Sequence, residues 1–379
     1  MDLSYYNSYA EVDLVAVREN YRKVKQHIGS AQDIIPVIKG NAYGMGTVEI
    51  ATTVIRDCGA KIIASAQPYE SIKIRKAGFD KVTLFIMSCP PVHTFPYVVE
   101  YDLQITVFNV EAVRALFAAA KAAGKTASVQ IKIETGLNRI GVKPGEPLAQ
   151  LLAAIREAGN ITVDGVFTHF SQAVDYEDPF TYEQYAVFEK AVAQLRAAGI
   201  EPKYIHCQNT GASVWFKKAE ELCNYVRNAG LFLGYSSMSD YSNPLALREP
   251  FTWRAFISNI HEIVPGETLG YDRYFKPEKP TMVATISAGY GDGLLRANAM
   301  KFGPVMVGET KTRYLGTCMD QTFVDVTGID CKLGDEVTIF GWTPGGKLLS
   351  IFDIEQHSGE SYVYPLTSVN DRVLRIYKK

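Results

Sequence analysis

The sequence predicts an α/β protein in two parts: a (β/α)8 barrel of the TIM type followed by a mainly β C-terminal domain. Three observations carry this. At 379 residues the chain exceeds one typical core and has room for a barrel of roughly 200–250 residues beside a second domain. Short β-branched runs alternate with helical patterns from about residue 14 to about residue 235. Beyond about residue 240 the helical periodicity stops, and short strands with Gly and Pro turns replace it. An open doubly wound sheet shares the local pattern of a barrel, so periodicity leaves those two arrangements open.

In chain order, a strand-like stretch Tyr9–Leu14 comes first and is free to pair with the second domain. Residues 14–27 then place Leu14, Val17, Tyr21 and Val24 on one helical face. The candidate barrel strands are Ile34–Ile38, Lys61–Ala64, Val82–Ile86, Leu103–Val107, Ser128–Ile133, Ile161–Phe167, Tyr204–Cys207 and Leu222–Val226. Between them lie helical patterns at residues 110–123, 146–158 and 181–198; Gly159 and Gly199 stand where C-terminal caps fall. In the second part the candidate strands are Thr281–Ile286, Pro304–Val307, Lys311–Leu315, Gln321–Val326 and Glu336–Phe340. The predicted domains are 13–238 and 239–379, the latter joined by residues 1–12.

Composition narrows the functions. Hydrophobic residues make up 47% and charged residues 21%, ordinary for a soluble globular chain. The net charge of −2, with no long basic run, argues against nucleic acid or an anionic membrane as the main partner. No run approaches the ~18 apolar residues of a membrane span, and Met1–Glu11 has no signal-peptide pattern. Six cysteines form no C-x-x-C pair and do not stand with histidine at zinc spacing. They read as reduced thiols of a cytoplasmic protein, and no metal site is expected.

The chemistry begins at Val37-Ile38-Lys39-Gly40-Asn41-Ala42-Tyr43-Gly44-Met45-Gly46. A lysine ends an apolar strand, and in a barrel that end builds the active site. The glycines after it let backbone approach a bound group closely. Alone, such a lysine reads as a snorkelling or capping charge. The stretch, however, resembles the K-A-N-A-Y-G-H-G signature of the alanine racemase family, whose lysine carries pyridoxal 5′-phosphate (PLP). Other blocks resemble the family in the same order. They are Lys132 to Gly141 with Glu134 and Arg139, Thr168-His169-Phe170-Ser171, His206 to Ser213, and Val226-Arg227 followed by Gly230. Leu269-Gly270-Tyr271-Asp272, Ile286 to Gly293 with Tyr290, and Gly316 to Gln321 with Met319 complete the set.

The resemblance implies a PLP-dependent racemase that interconverts L- and D-alanine. Lys39 and Tyr271 would be its two bases on opposite faces of the substrate. It implies cofactor contacts at Lys39, Tyr43, His169, Asn209, Thr210, Arg227, Ala229 and Gly230. It implies substrate contacts at Arg139, Met319 and Tyr290, and a carbamylated lysine at Lys132. Departures from the family are Gly40, Met45, Glu134, Asn228 and Ala229 in the barrel part, and Gly270 and Asp272 around the tyrosine. Taken singly, His169 reads as a core histidine, Met319 as core filler, Tyr271 as packing and Arg227 as a surface ion pair. The order of the blocks is what favours function.

The resemblance further implies a homodimer with shared active sites, Tyr271 coming from the partner chain. Its second substrate candidate is serine, because Asn370-Asp371 stands where some alanine racemases carry Ser-Tyr. Such serine racemases have an added membrane domain, so a catalytic domain of a membrane-anchored protein is the alternative location. Three further readings compete. A PLP-dependent decarboxylase of basic amino acids would need a cysteine and an aspartate pattern where the tyrosine block stands. A PLP homeostasis protein would be a lone barrel. A metal-dependent aldolase would need a ligand cluster where His357 stands by itself.

Overall fold

The structure, a computed structural model, describes residues 5–236, 238 and 240–379. Strand β1 (Ser8–Asp13) runs into the helix Leu14–Ile28. That helix begins where the Asp13 carboxylate accepts the Ala16 N–H at 3.0 Å, an N-cap that satisfies one orphan donor. Its Leu14, Val17, Tyr21, Val24 and Ile28 are buried together, the face that the three-and-four spacing predicts.

Eight parallel strands come next: β2 (Asp33–Pro36), β3 (Ile62–Ser65), β4 (Thr83–Ile86), β5 (Gln104–Val107), β6 (Ala127–Lys132), β7 (Ile161–Phe167), β8 (Tyr204–His206) and β9 (Tyr225–Asn228). β3 to β8 form one sheet in chain order, and β2 pairs with β9. Two bonds carry the circuit onward: Ile38 N–H donates to Ala64 O at 2.9 Å, and Asn224 N–H to Ile205 O at 3.1 Å. The chain thus takes the barrel arrangement rather than the open sheet with the same periodicity. Strands buried on both faces read as unbroken apolar runs such as Ile62-Ile63-Ala64. The helices Val110–Ala122, Glu146–Ala158 and Phe180–Ala197 alternate with them. Gly159 ends one helix in the left-handed region at φ 73°, the conformation that favours glycine at a C-terminus. The expected Leu222–Val226 strand begins later, at Tyr225, because Lys217–Glu221 forms a 3-10 turn before it.

The second part holds a nine-stranded sheet. Its strands are β10 (Phe251–Ile263), β11 (Thr281–Ile286), β12 (Pro304–Val307), β13 (Thr310–Thr317), β14 (Thr322–Asp325), β15 (Glu336–Trp342), β16 (Leu348–Leu349) and β17 (Leu374–Lys378), together with β1. β1 lies between β10 and β17, as the strand-like Tyr9–Leu14 allowed. The longest strand, β10, is absent from the sequence prediction. Phe251, Trp253, Ala255 and Ile257 alternate with Thr252, Arg254 and Ser258, but Asn259, His261 and Glu262 break the pattern, and pairing with β1, β11 and β15 holds the whole strand extended. Arg254 donates to Glu11 at 2.6 Å, Lys378 pairs with Glu11 at 2.9 Å, and Tyr9 donates to Glu336 at 2.5 Å. These contacts tie the four strands together.

Packing divides the chain into two units. One comprises Val17–Ala42 and Thr47–Arg248; the other comprises the residues up to Ala16, Tyr43–Gly46 and Glu249–Lys379. The predicted boundary at 238/239 touches Ser239, which lies outside the described residues, as do Met1–Ser4 of the expected leaderless N-terminus. The units divide instead between Arg248 and Glu249, because the preceding segment is bonded back onto the first helix. Asn20 Nδ2 donates to Arg248 O at 2.8 Å, and Arg248 N–H donates to Asn20 Oδ1 at 3.0 Å.

Candidate active site

Lys39 leaves the C-terminal end of β2, where Val37 bridges to Ala64 of β3. The four residues after it form a left-handed turn: φ is 64° at Gly40, 55° at Asn41, 53° at Ala42 and 54° at Tyr43. Each non-glycine residue there costs on the order of 1–2 kcal/mol, so the turn needs outside support. Asn41 Oδ1 accepts the Thr47 N–H at 3.0 Å. The buried Glu70 accepts Gly40 N–H at 2.6 Å with one oxygen and Ala66 N–H at 2.9 Å with the other. Sequence reasoning misses Glu70; its only signal is an acid at the start of the helix Pro68–Lys76. Burial, then the Arg139 guanidinium, holds the Lys39 amine below the usual lysine range, with Glu70 opposing and Arg227 adding to the shift.

Arg227, on β9, is buried and donates five hydrogen bonds. Nη1 donates to His206 Nδ1 at 2.7 Å and to His206 O at 3.1 Å. Nη2 donates to Thr168 O at 2.8 Å, to Cys207 O at 3.1 Å and to His169 Nδ1 at 3.2 Å. Burial lowers its pKa to about 10, still far above neutrality. Both imidazoles are driven well below their usual pKa by burial first and by the neighbouring cations second. Each therefore stays neutral and offers Nδ1 as an acceptor, which places its ring proton on Nε2.

Lys132 closes β6 and is buried. Burial, with Arg227 and Arg139, lowers its pKa to about 7. Its Nζ and the Arg227 guanidinium lie 5.1 and 5.3 Å from the centre of the Phe167 ring. Arg139 itself is exposed, yet its charge acts on Lys39, Lys132 and His169. Thr210 Oγ accepts the Ala229 N–H at 3.3 Å, which sets a hydroxyl beside a backbone donor, with Gly230 next in the chain. Asn209 is differently employed: Nδ2 donates to Phe170 O at 3.2 Å, and Oδ1 accepts Ala212 N–H at 3.1 Å.

The remaining expected residues belong to the β-rich unit. Tyr43 packs there with Gly44, where a side chain on Gly44 would meet Leu366 O. Tyr290 and Met319 are brought together by Tyr290 N–H donating to Cys318 O at 3.2 Å and Gly291 N–H to Met319 O at 2.8 Å. They are 40% and 54% exposed, and Tyr271 is 77% exposed on a turn where Gly270 has φ 75°. Among the described residues, nothing in the unit covers that tyrosine.

An amine of lowered pKa, a buried guanidinium between two neutral imidazoles and a hydroxyl–amide pair at a barrel's strand ends define a class: a barrel enzyme with a nucleophilic lysine and donors for an anionic group. Models of the alanine racemase N-terminal and C-terminal domains match residues 12–235 and 250–377. An alanine racemase from Geobacter sulfurreducens is 32% identical over 373 residues, 97% of this chain and 96% of that one. One from Halothermothrix orenii is 31% identical over 373 residues, 98% and 97% of the two chains. Among solved structures, the alanine racemase of D-cycloserine-producing Streptomyces lavendulae superposes with a TM-score of 0.91 at 30% identity, over 99% of this chain and 97% of that one. That of Bacillus anthracis with bound L-Ala-P gives 0.92 at 26% identity, over 99% and 96%. The chain belongs to the alanine racemase family, and PLP is its cofactor. The residues present fit that group: Lys39 supplies an amine of lowered pKa, and Thr210, whose oxygen accepts the Ala229 N–H, keeps its hydroxyl proton for a phosphate.

Proposed function

We propose that the chain interconverts L- and D-alanine with two bases, Lys39 on one face of the substrate and Tyr271 of the partner subunit on the other. The observation that carries this reading is the contrast between a lysine of lowered pKa at the barrel mouth and a tyrosine left 77% exposed. When bound, PLP supplies a conjugated ring that takes up the charge left as the substrate Cα loses its proton. Lys39 Nζ, held below its usual range by burial, gives up its proton more readily than an exposed lysine. His169, with its proton on Nε2, is able to hydrogen-bond a phenolate oxygen and so support Tyr271 as the second base. Arg227 keeps its own proton, so it meets the cofactor as a donor and not as an acid. Thr210, Ala229 and Gly230 would hold the phosphate with Tyr43; Asn209 supports Thr210 by bonding to Phe170 O and Ala212 N–H.

Arg139, with Tyr290 and Met319, is assigned to the substrate. Lys132 is assigned to hold Arg139 as a carbamate. Carbon dioxide adds to its neutral amine, forming an N–C bond and releasing one proton to solvent. The resulting anion would answer the two arginines whose charge now lowers the Lys132 pKa. The six free cysteines support a reducing compartment, in which the enzyme would supply D-alanine for the cell wall. No helix of the described residues is long and apolar enough to cross a membrane. Serine has no specific support: Asn370 Nδ2 donates to Gly291 O at 2.8 Å and Oδ1 accepts Arg372 N–H at 3.0 Å, so this side chain is committed to backbone.

The test is complementation. Lys39→Ala and Tyr271→Phe chains are each expected to be inactive. Mixed under conditions of proven subunit exchange, they should regain activity, because one site of the mixed dimer holds both wild-type bases. No recovery despite exchange would place both bases in one chain.

A further inference from the structure

A line of polar side chains crosses the interior of the barrel unit, starting at the His206 that Arg227 bonds. His206 Nε2 lies 2.7 Å from Gln130 Oε1, Gln130 Nε2 donates to Gln104 Oε1 at 3.0 Å, and Gln104 Nε2 donates to Asp164 Oδ2 and Ser128 Oγ, both at 2.8 Å. Gln130 and His206 are fully buried and Gln104 nearly so.

The direction of every bond is determined from the ends. A carboxylate only accepts, so the amide nitrogen of Gln104 must face Asp164 and its oxygen must face Gln130. That turns the Gln130 nitrogen toward Gln104 and its oxygen toward His206. His206 Nε2 must then carry the ring proton, leaving Nδ1 to accept from Arg227 Nη1 at 2.7 Å. Read from the other end, a guanidinium only donates, and the same assignment results. The chain is therefore a one-way relay of donors from a buried cation to a distant carboxylate, through three neutral side chains. Bonds aligned in this way polarise one another in a low-dielectric interior.

A second observation shows that the fold reserves space for the middle link. Gln130 of β6 pairs with Gly165 of β7. A Cβ on Gly165 would lie 2.7 Å from both Cδ and Oε1 of Gln130. Gly165 has no left-handed backbone that would call for glycine; the room its missing side chain leaves is filled by the Gln130 amide. The His206 ring is further fixed by stacking on Phe167, with centroids 5.1 Å apart and planes at 16°.

We propose that Gln130 is a positioning residue for racemisation: it accepts the Nε2–H of His206 and so fixes that ring, and through it the Arg227 guanidinium at the cofactor. The consequence for catalysis rests on the proposed role of Arg227; the relay itself does not. Gln130→Met keeps the volume and removes both bonds. Gly165→Ala keeps Gln130 but displaces its amide, and Gly165→Ala with Gln130→Ser relieves the crowding without restoring the relay.

The first readout is nitrogen NMR of histidine-labelled holoenzyme, which has six histidines, with His206 assigned by its loss in His206→Asn. The wild type should show one neutral His206 with the proton on Nε2. All three variants should bind PLP and stay yellow, while the His206 Nε2–H signal shifts and exchanges faster with water, its hydrogen-bond acceptor being lost and its proton still placed on Nε2 by the Arg227 donor. Their kcat/KM for alanine should fall by about ten- to a hundredfold, the size expected when a supporting partner is lost. A wild-type His206 protonated on Nδ1, or an unchanged His206 in the variants, overturns the relay. A shifted His206 with wild-type kcat/KM overturns its catalytic consequence. Should Gln130→Met fail to fold, the wild-type tautomer and Gly165→Ala still decide. If Arg227→Gln racemises normally while the variants still move His206, the relay stands and the assigned role of Arg227 falls.

Discussion

The two units use polar residues in opposite ways. The barrel unit buries its chemistry: Lys132, Arg227, His169 and His206 all have pKa values driven down, with burial as the largest cause. It holds them through backbone carbonyls and neutral side chains. The β-rich unit exposes Tyr271, Tyr290 and Met319 and buries an acid, Glu249, for a structural purpose. The two Glu249 carboxylate oxygens accept from the Ser350 hydroxyl and, at 3.2 Å, from Ile351 N–H, at the start of the helix Ile351–Ser358. Preorganised charge requires a dry, rigid interior, whereas a base that must meet a substrate from the far side has to stand at a surface.

The most severe break is Lys39→Ala. Alanine racemisation should fall by on the order of 10⁴-fold or more, and the purified protein should lose its yellow colour; an active, yellow variant would remove Lys39 from the site. Tyr271→Phe comes next, with a loss of about 10²–10⁴-fold and the colour retained, because an exposed turn of the β-rich unit holds no cofactor. Its effect should differ between the L- and D-alanine directions under single-turnover conditions, since each base takes the proton of one enantiomer. Equal, wild-type rates both ways would end its role.

Lys132→Met sharpens the comparison inside the barrel. Here we expect KM for alanine to rise about tenfold with a smaller change in kcat, as for lost ground-state binding. Intact-mass spectra of the wild type should show a population heavier by one CO2. Because the amine has a pKa of about 7, that population should shrink as the pH drops below neutrality. A carbamate insensitive to pH, or absent at pH 8 in bicarbonate, contradicts the assignment.

The smallest effect is expected at Glu249, which burial pushes up to about 7. Between the ordinary carboxylate range and pH 7 the folded protein then binds more protons than the unfolded chain. Its contribution is full at low pH and is lost as the pH rises through 7. Glu249→Gln should therefore raise Tm at pH 8 by a few degrees relative to wild type and leave Tm near pH 4.5 almost unchanged, with racemisation intact throughout. A gain at low pH instead would reverse the sign and put the shift in doubt.

The barrel strands, their helices and the glycine caps are legible in the sequence because each depends on near neighbours along the chain: β-branched runs, three-and-four spacing and Gly159 after its helix. The lysine, arginine, histidine and tyrosine proposed for the site can be named from the sequence because their blocks keep a family order. β10 was missed although Phe251 to Ile257 alternates; beyond Ser258 the pattern breaks, and there long-range partners hold it extended. Glu70, Gln130 and His206 escaped the candidate site for the same reason. Each acts on a residue far away in sequence: Gly40 in one case, His206 and Arg227 in the others.

By itself, the sequence determined the class of fold, the family and the residue types able to do the chemistry. Only the tertiary structure decided their states: that Lys132 titrates near neutrality, that His206 carries its proton on Nε2, and that Gly165 makes room for Gln130. The reason is physical. Residue identity and local spacing are written along the chain, but desolvation and hydrogen-bond direction depend on what packs around a group, and that is known only once the strands have closed.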